Sequence, residues 1–344
     1  MSDEISAPKL KQTTSYDIDL SLYESQPAEK PSNIDPKTLT DKEKQQMMSA
    51  GVILDDLSQR SGTFIQMDNT PVHSSVKQDG IEVMAISQAL EKYDWVEDYF
   101  WKAVAADTDK YTAHVGSHQS EGYFIRALPG SKTQYPVQAC LYLAKSRLIQ
   151  DVHNIIIAEE GSELHIITGC TTAGGREQGI HLGVSEFYIK KGAKVTFSMI
   201  HSWTPETAVR PRTVTVIEED GLFLSNYVIM KPVHSLQAYP AAICNGKNAT
   251  VRFNSILVAT PGSKMDLGSK AFLNAEGAKA EIVSRAIRYS ISSSAILPTA
   301  ASWERSTPAS VPLSSGIAWM VPESPIIRPR HSRCPLMSGQ LPST

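Results

Sequence analysis

Four short segments share one pattern: Gly161-Ser162-Glu163-Leu164, Gly192-Ala193-Lys194-Val195, Gly246-Lys247-Asn248-Ala249 and Gly277-Ala278-Lys279-Ala280. Each is a glycine, a short polar turn and the start of an alternating apolar run. They are spaced by 31, 54 and 31 residues, the middle gap being twice 27. A period near thirty, carrying strands and turns but no helix, points to a coiling solenoid in which each repeat buries its apolar face against its neighbours. In a parallel β-helix each glycine marks a corner, where the backbone takes positive φ or passes close to the next coil. A β-sandwich also uses short strands, but its turns follow no common period. The pattern therefore predicts an all-β core, a parallel β-helix (solenoid) over residues 121–288, with Gly161, Gly192, Gly246 and Gly277 at corners.

The flanks differ in texture. Residues 1–60 are polar and interrupted by Pro27, Pro31 and Pro36, with one helix over DKEKQQMMSAG, capped by Thr40 or Asp41 and ended by Gly51. Residues 61–120 read as an α/β region. Within it QALEKYDWVEDYFWKAV places Leu90, Tyr93, Val96, Phe100 and Val104 on one helical face, which is expected to pack on the main body. From Glu121 the runs YFIRAL, ACLYLA, NIIIA and ELHIITG alternate as strands do. Residues 289–344 form an irregular tail. From Ser290 onward, 13 of 55 residues are Ser and 8 are Pro, a composition that buries too little apolar surface to order itself.

Composition narrows the function classes. A net charge of −3 gives no basic field for nucleic acid or an anionic membrane. No apolar run approaches the roughly 20 residues of a membrane helix, and the polar N-terminus carries no signal peptide, so a cytoplasmic location is expected. Cys140, Cys170, Cys244 and Cys334 form no CxxC pair, which argues against a structural zinc site or disulfide framework and leaves four free thiols.

One of those thiols lies in the glycine-rich stretch ITGCTTAGGREQG, Ile167–Gly179. Gly169 and Gly174 have P-loop separation, but Gly175 and Arg176 follow where a P-loop needs Lys and then Ser or Thr, and no helix follows to face a phosphate. Nucleotide binding is set aside. The stretch leaves two alternatives for Cys170, a reactive thiol or a packing residue in a corner of the fold.

Several segments together resemble one family: SGTFIQMDNTPVH (61–73), EGYFIRALPGSKTQYPVQ (121–138), NIIIAEEGSELHIITGCTT (154–172), GIHLGVSEFYIKKGAKVTFSMIHSW (179–203) and FLNAEGAKAEIVSRAI (272–287). In order and spacing they are similar to the SufB/SufD proteins of the SUF iron–sulfur assembly machinery. The resemblance implies a right-handed parallel β-helix between helical end segments. It also implies a non-enzymatic scaffold that accepts sulfur and supports cluster building with a SufC-type ATPase. Implied partners are that ATPase, a SufB/SufD paralogue or second copy, and a cysteine desulfurase or other sulfur donor. A transient iron–sulfur cluster is implied, with no tightly bound cofactor.

Cys170 falls at the family's Gly-Cys-Thr, where the cysteine is implicated in receiving sulfur. Persulfide chemistry needs a thiolate, which is also a soft ligand for iron. Here Arg176 or a nearby histidine is expected to favour the ionised form, and a strand-end position to leave Cys170 reachable. His181 is the second candidate, as ligand or proton shuttle, with His165, His201 and His234 as possible neighbours on adjacent coils. Glu186 reads as a satisfied or solvent-facing acid, and Cys140 and Cys244 as packing residues.

The chain also departs from the family. After Ile287 it shows neither the further coils, nor a second ligand-rich region, nor the helical domain that holds SufC. Lys is absent after Lys279 and Asp after Asp266, as a shifted reading frame or gene fragment would produce. Cys334 matches no family motif. Leu141–Lys145 lacks the arginine and asparagine expected of a SufB-type member, which favours a SufD-like or less specialised type. Two rivals remain: a carbohydrate-active β-helix enzyme, needing clustered acids on one coil face, and a passive β-helix interaction protein.

Overall fold

In the computed structural model, which describes residues 17–118, 120–174, 179–259, 263–288, 295–296 and 300–305, the recurrence is a β-solenoid. Each coil gives a strand, or a pair of shorter strands, to each of two sheets. The first sheet stacks Val137–Leu143, Glu163–Thr172, Lys194–Ser202, Leu222–Ile229, Thr250–Ala259 and Lys279–Arg288. The second stacks Tyr123–Ala127, Leu148–Ala158 and Gly179–Ile189, then the shorter strands Arg212–Ile217 and Ala241–Cys244, then Lys264–Leu273. Within the stack every pairing is parallel, unlike a face-packed antiparallel sandwich. Successive register partners step by 29, 31, 28, 28 and 29 residues, from Val137 to Ile166, Glu163 to Lys194, Lys194 to Leu222, Leu222 to Thr250 and Thr250 to Lys279.

The corners form a ladder of their own. Gly130, Gly161, Gly192, Asp220, Asn248 and Gly277 all have φ between +55° and +72°. The amide of each of the first five donates to a carbonyl one coil further on, from Gly130 to Glu160 at 2.9 Å through Asn248 to Glu276 at 3.0 Å. The two non-glycine corners are Asp and Asn, the residues that best tolerate the left-handed region. Gly246 is not the corner of its coil; Asn248 is. Gly246 is required by close approach, since a Cβ there would lie 1.8 Å from the Glu219 amide nitrogen.

Inside the coil, alternate residues of both sheets make one apolar column. Phe187 meets Phe197 and Phe223 at 4.9 Å, and Phe223 continues to Phe253 at 6.3 Å. Burying each such ring stabilises the stack by roughly 1.5–3 kcal/mol.

The N-terminal third closes the outer faces. Thr40 caps the helix Asp41–Ser49 in a capping box with Glu43, and Gly51 ends it at φ +81°. Its Met47 packs with Val52, Ile65, Cys140 and Tyr142 on the outside of the first sheet. The single helix expected through Val104 is instead two pieces, an α-helix Ile86–Lys92 and a 3-10 turn Asp94–Asp98, divided by the extended Tyr93. That break seats Tyr93 against Trp95 at 5.3 Å and sends its hydroxyl to Glu82. The apolar residues still pack as expected: Val96 and Val104 are buried, and Leu90, Tyr93 and Phe100 join them over Phe124, Ile155 and Val184. A further helix, Lys110–Ser117, has no counterpart in the sequence reading. Asp109 caps it, accepting from the amides of Tyr111 (2.9 Å) and Thr112 (3.0 Å) while pairing with buried Arg212 at 2.6 Å. Leu148–Ala158 and Gly179–Ile189 are thus covered on both faces and buried along their whole length. In the tail, Ala295–Ile296 and Ala300–Arg305 run parallel to Lys264–Leu273, and its other residues, Cys334 among them, lie outside the described residues.

Candidate functional site

Strand parity decides what each candidate can reach. On Glu163–Thr172 the residues Leu164, Ile166, Thr168 and Cys170 alternate into the coil interior, whereas His165 is exposed on the outside. Cys170 sits in register between Leu141 on one coil and His201 on the next. It is fully buried, and burial, with Cys140 adding to it, holds the thiol well above its ordinary pKa. The expected reachable thiolate is therefore not what this structure holds. The strand runs on to Thr172, so Cys170 lies within it and is flanked on both sides. Cys140 and Cys244 are equally buried, and Arg176 lies outside the described residues.

His181 enters the same interior from the opposite sheet. Its Nδ1 meets the Gln150 carbonyl Oε1 at 2.8 Å, and that amide is oriented by donating to the Asp68 carbonyl at 2.8 Å. Nδ1 must then carry the proton, leaving a lone pair on Nε2. Gly183 makes room for the ring, since a Cβ there would lie 2.8 Å from Nε2. Burial pushes the His181 pKa down to about 3.

Trp203 connects the two sheets. Its indole N–H donates to His201 Nδ1 at 2.9 Å, and its ring lies 5.0 Å from His181 and 5.6 Å from His201. His201 is held neutral by burial and then by His181. With Nδ1 accepting, its proton sits on Nε2, which is buried without a hydrogen-bond partner. Tyr227, on the following coil, packs 4.8 Å from the His201 ring. Cys170, His201, Trp203 and His181 thus form one connected interior group. A small cavity of about 50 Å³, lined by Phe197, Met199, Tyr227, Phe253 and Ser284 among others, lies within the later coils beside it.

Of the histidines named as possible neighbours, His201 joins this group and His165 does not. His234, exposed just before the strand Ser235–Ala238, spends its amide on the Thr207 carbonyl. Glu186 is satisfied, on the outer face: its carboxylate accepts from the amides of Trp101 (2.8 Å) and Val104 (3.0 Å) and meets His153 Nε2 at 2.7 Å. Gln150, Tyr227 and the Tyr123–Thr168 hydroxyl pair at 3.2 Å escaped the sequence reading, because their convergence depends on register between coils.

Chemically the group offers a protonated thiol and one free imidazole lone pair, at His181 Nε2, a soft and a borderline donor away from water; the His201 lone pair is held by Trp203. Such a set suits iron or zinc over hard cations. A metal ion or a sulfur centre arriving here would supply the driving force for thiol deprotonation that the protein surroundings withhold.

Residues 142–296 match the family model for the SUF system FeS cluster assembly SufBD core domain. An iron–sulfur cluster assembly SufBD family protein of Methanothermobacter thermautotrophicus is 43% identical over 275 residues, covering 79% of this chain and 67% of the relative. One from Archaeoglobus fulgidus is 51% identical over 245 residues, covering 71% and 65%. The iron–sulfur cluster assembly protein SufB of Bacillus subtilis is 27% identical over 238 residues, covering 66% and 50%. The chain thus spans between half and two thirds of the length of these relatives. The chain belongs to the SufBD family of iron–sulfur cluster assembly proteins.

Proposed function

We propose that this chain is a cytoplasmic scaffold component of iron–sulfur cluster assembly, in which Cys170 accepts sulfur and His201 and His181 assist. The observation that carries the reading is the register pairing of Cys170 with His201 inside a coil where both imidazoles are kept neutral. In the transfer step the Cys170 sulfur attacks the outer sulfur of a donor persulfide. The donor S–S bond breaks, the donor leaves as a thiolate, and Cys170 becomes the persulfide, with no net oxidation. The thiol proton must leave first; the His201 lone pair is taken by the Trp203 indole, which leaves His181 Nε2, or a base on the arriving donor, as the acceptor.

Burial makes this step conditional. A thiol closed inside the coil meets a partner's persulfide only after local opening, which gives a SufC-type ATPase a physical task. Anaerobic incubation with a cysteine desulfurase and cysteine, followed by mass spectrometry, should find one added sulfur on Cys170, more of it when a SufB/SufD paralogue that carries the SufC-holding domain, a SufC-type ATPase and ATP are all present. Reconstitution with ferrous iron and sulfide should give a visible sulfur-to-iron absorbance that Cys170→Ala removes. Identical spectra from both proteins, with no sulfur on Cys170, would return it to a packing role.

A further inference from the structure

A second group of ligand-type side chains lies outside the coil, where the N-terminal segment crosses the second sheet. His114 on the helix Lys110–Ser117, His118 at its C-cap and Asp151 on the outer face of Leu148–Ala158 each offer a donor atom within 4.8 Å of the others. We propose that these three residues bind a divalent first-row transition-metal ion, independently of Cys170.

The hydrogen bonds around the group already have the form of a ligand site. His118 Nδ1 meets the His114 carbonyl at 2.7 Å. A carbonyl only accepts, so Nδ1 holds the proton and Nε2 presents a lone pair. His114 is fixed at both ends: Nε2 meets Ser25 Oγ at 3.0 Å and Nδ1 meets Asp151 Oδ1 at 3.0 Å. Metal-bound histidines characteristically tie the second ring nitrogen to a carbonyl, hydroxyl or carboxylate in this way. An ion placed among them would take His114 Nδ1, His118 Nε2 and an Asp151 oxygen, displacing the proton between His114 and Asp151.

Asp151 supplies the charge argument. Its side chain is only 3% exposed, and among the described residues His114 is its one side-chain partner. A buried carboxylate so sparsely partnered favours a cation beside it. Its backbone is held by Asn69, whose Oδ1 accepts from the Asp151 amide at 2.9 Å. The two imidazole rings stack at 4.1 Å and 22°, so their donor edges lie together. Two histidines and one carboxylate leave coordination positions open, the pattern that holds iron(II) or zinc with exchangeable water. His118 also lines an open cleft with Phe100, Trp101, Ser120 and Glu121, which gives an ion a way in.

Cobalt(II) is the first probe, added anaerobically to the full chain without a histidine tag and without sulfide. Wild type should bind one equivalent, show visible d–d bands without strong thiolate-to-metal absorption, and unfold at a higher temperature. His118→Ala, at a half-exposed helix end, and the near-isosteric Asp151→Asn should both abolish the bands. Ser25→Ala should weaken binding roughly tenfold, and Cys170→Ala should leave it unchanged. Circular dichroism and unfolding midpoints show whether each variant is folded; should Asp151→Asn fail to fold, His118→Gln replaces it. Iron(II) and zinc(II) should then compete for the same equivalent. Cobalt binding that persists in folded His118→Ala, or that disappears in Cys170→Ala, overturns the proposal. The latter result would leave the Cys170 reading intact.

Discussion

The interior histidines should make this fold sensitive to mild acid. His181 has an ordinary pKa of 6.5 that burial lowers to about 3 in the folded protein. The unfolded chain therefore binds a proton that the folded chain refuses across the whole interval between those values. Stability is fully present above 6.5 and is lost as pH falls toward 3, at about 1.4 kcal/mol per pH unit for one such group. Between about pH 7 and about pH 5 the loss from His181 alone comes to roughly 2 kcal/mol. His201, held well below its ordinary pKa, adds a loss of the same sign. The assay is urea unfolding followed by tryptophan fluorescence at both pH values, for wild type and for His181→Gln. Glutamine does not titrate, and its amide can still donate to Gln150, so the variant should lose about 2 kcal/mol less than wild type over that interval. A wild-type stability that is flat across the interval, or an undiminished slope in the variant, would refute the argument that His181 is buried neutral.

Two further expectations test the coil itself. Gly161→Asn should change stability by no more than about 1 kcal/mol, since Asn248 holds the equivalent corner at φ +58° and no atom lies within 4 Å of a Cβ at 161; Gly246→Ala, whose Cβ would strike the Glu219 backbone, should cost well over that in the same unfolding assay. Asp109→Ala removes both a helix cap and the partner of a guanidinium that is only 4% exposed, and should cost about 3–5 kcal/mol by denaturant midpoint, where a loss under about 1 kcal/mol would show that Arg212 is satisfied by Gln237 and Pro211 alone.

What was legible in the chain was what repeats. The solenoid showed in the glycine corners because a left-handed turn restricts residue type at one position per coil. The same rule hid one corner, Asp220, and shifted another from Asn248 to Gly246, because Asp and Asn also occupy that region. Cys170 was recognisable from Gly-Cys-Thr, but its side of the sheet was not, because a single strand's pattern does not say where it ends. Trp203 stood out as a landmark, yet its link to His201 and His181 needs register across two sheets. The His114–His118–Asp151 group left no local mark either, since its members meet only after the helix Lys110–Ser117 docks on the strand Leu148–Ala158. That helix escaped notice because it is short, and its cap Asp109 follows Asp107 and Thr108, either of which could cap a helix as well.

The sidedness of the first sheet also limits how Cys170 can be exposed. The turn Ala50–Val52, at the end of the Asp41–Ser49 helix, presses on the outside of the strand at Gly169, where a Cβ would lie 2.5 Å from Val52 and 2.6 Å from the Ala50 carbonyl. Ser49 Oγ meets Ser202 Oγ at 2.6 Å, and Thr171 Oγ1 donates to the Ser202 carbonyl at 2.9 Å, so the helix end and the strand end beside Cys170 are joined at one point. A partner that merely lifted this helix would uncover the outer face, and with it Cys140. Cys170, one residue beyond Gly169 and facing inward, would stay covered until the strand itself moved. Alkylation with and without a SufB/SufD paralogue that carries the SufC-holding domain, together with a SufC-type ATPase and ATP, separates the two motions. Labelling of Cys140 alone means that only the cover lifts, and sulfur could not then reach Cys170 by that route. Labelling of Cys170 together with Cys140 means that the coils part, which is the motion the transfer step requires.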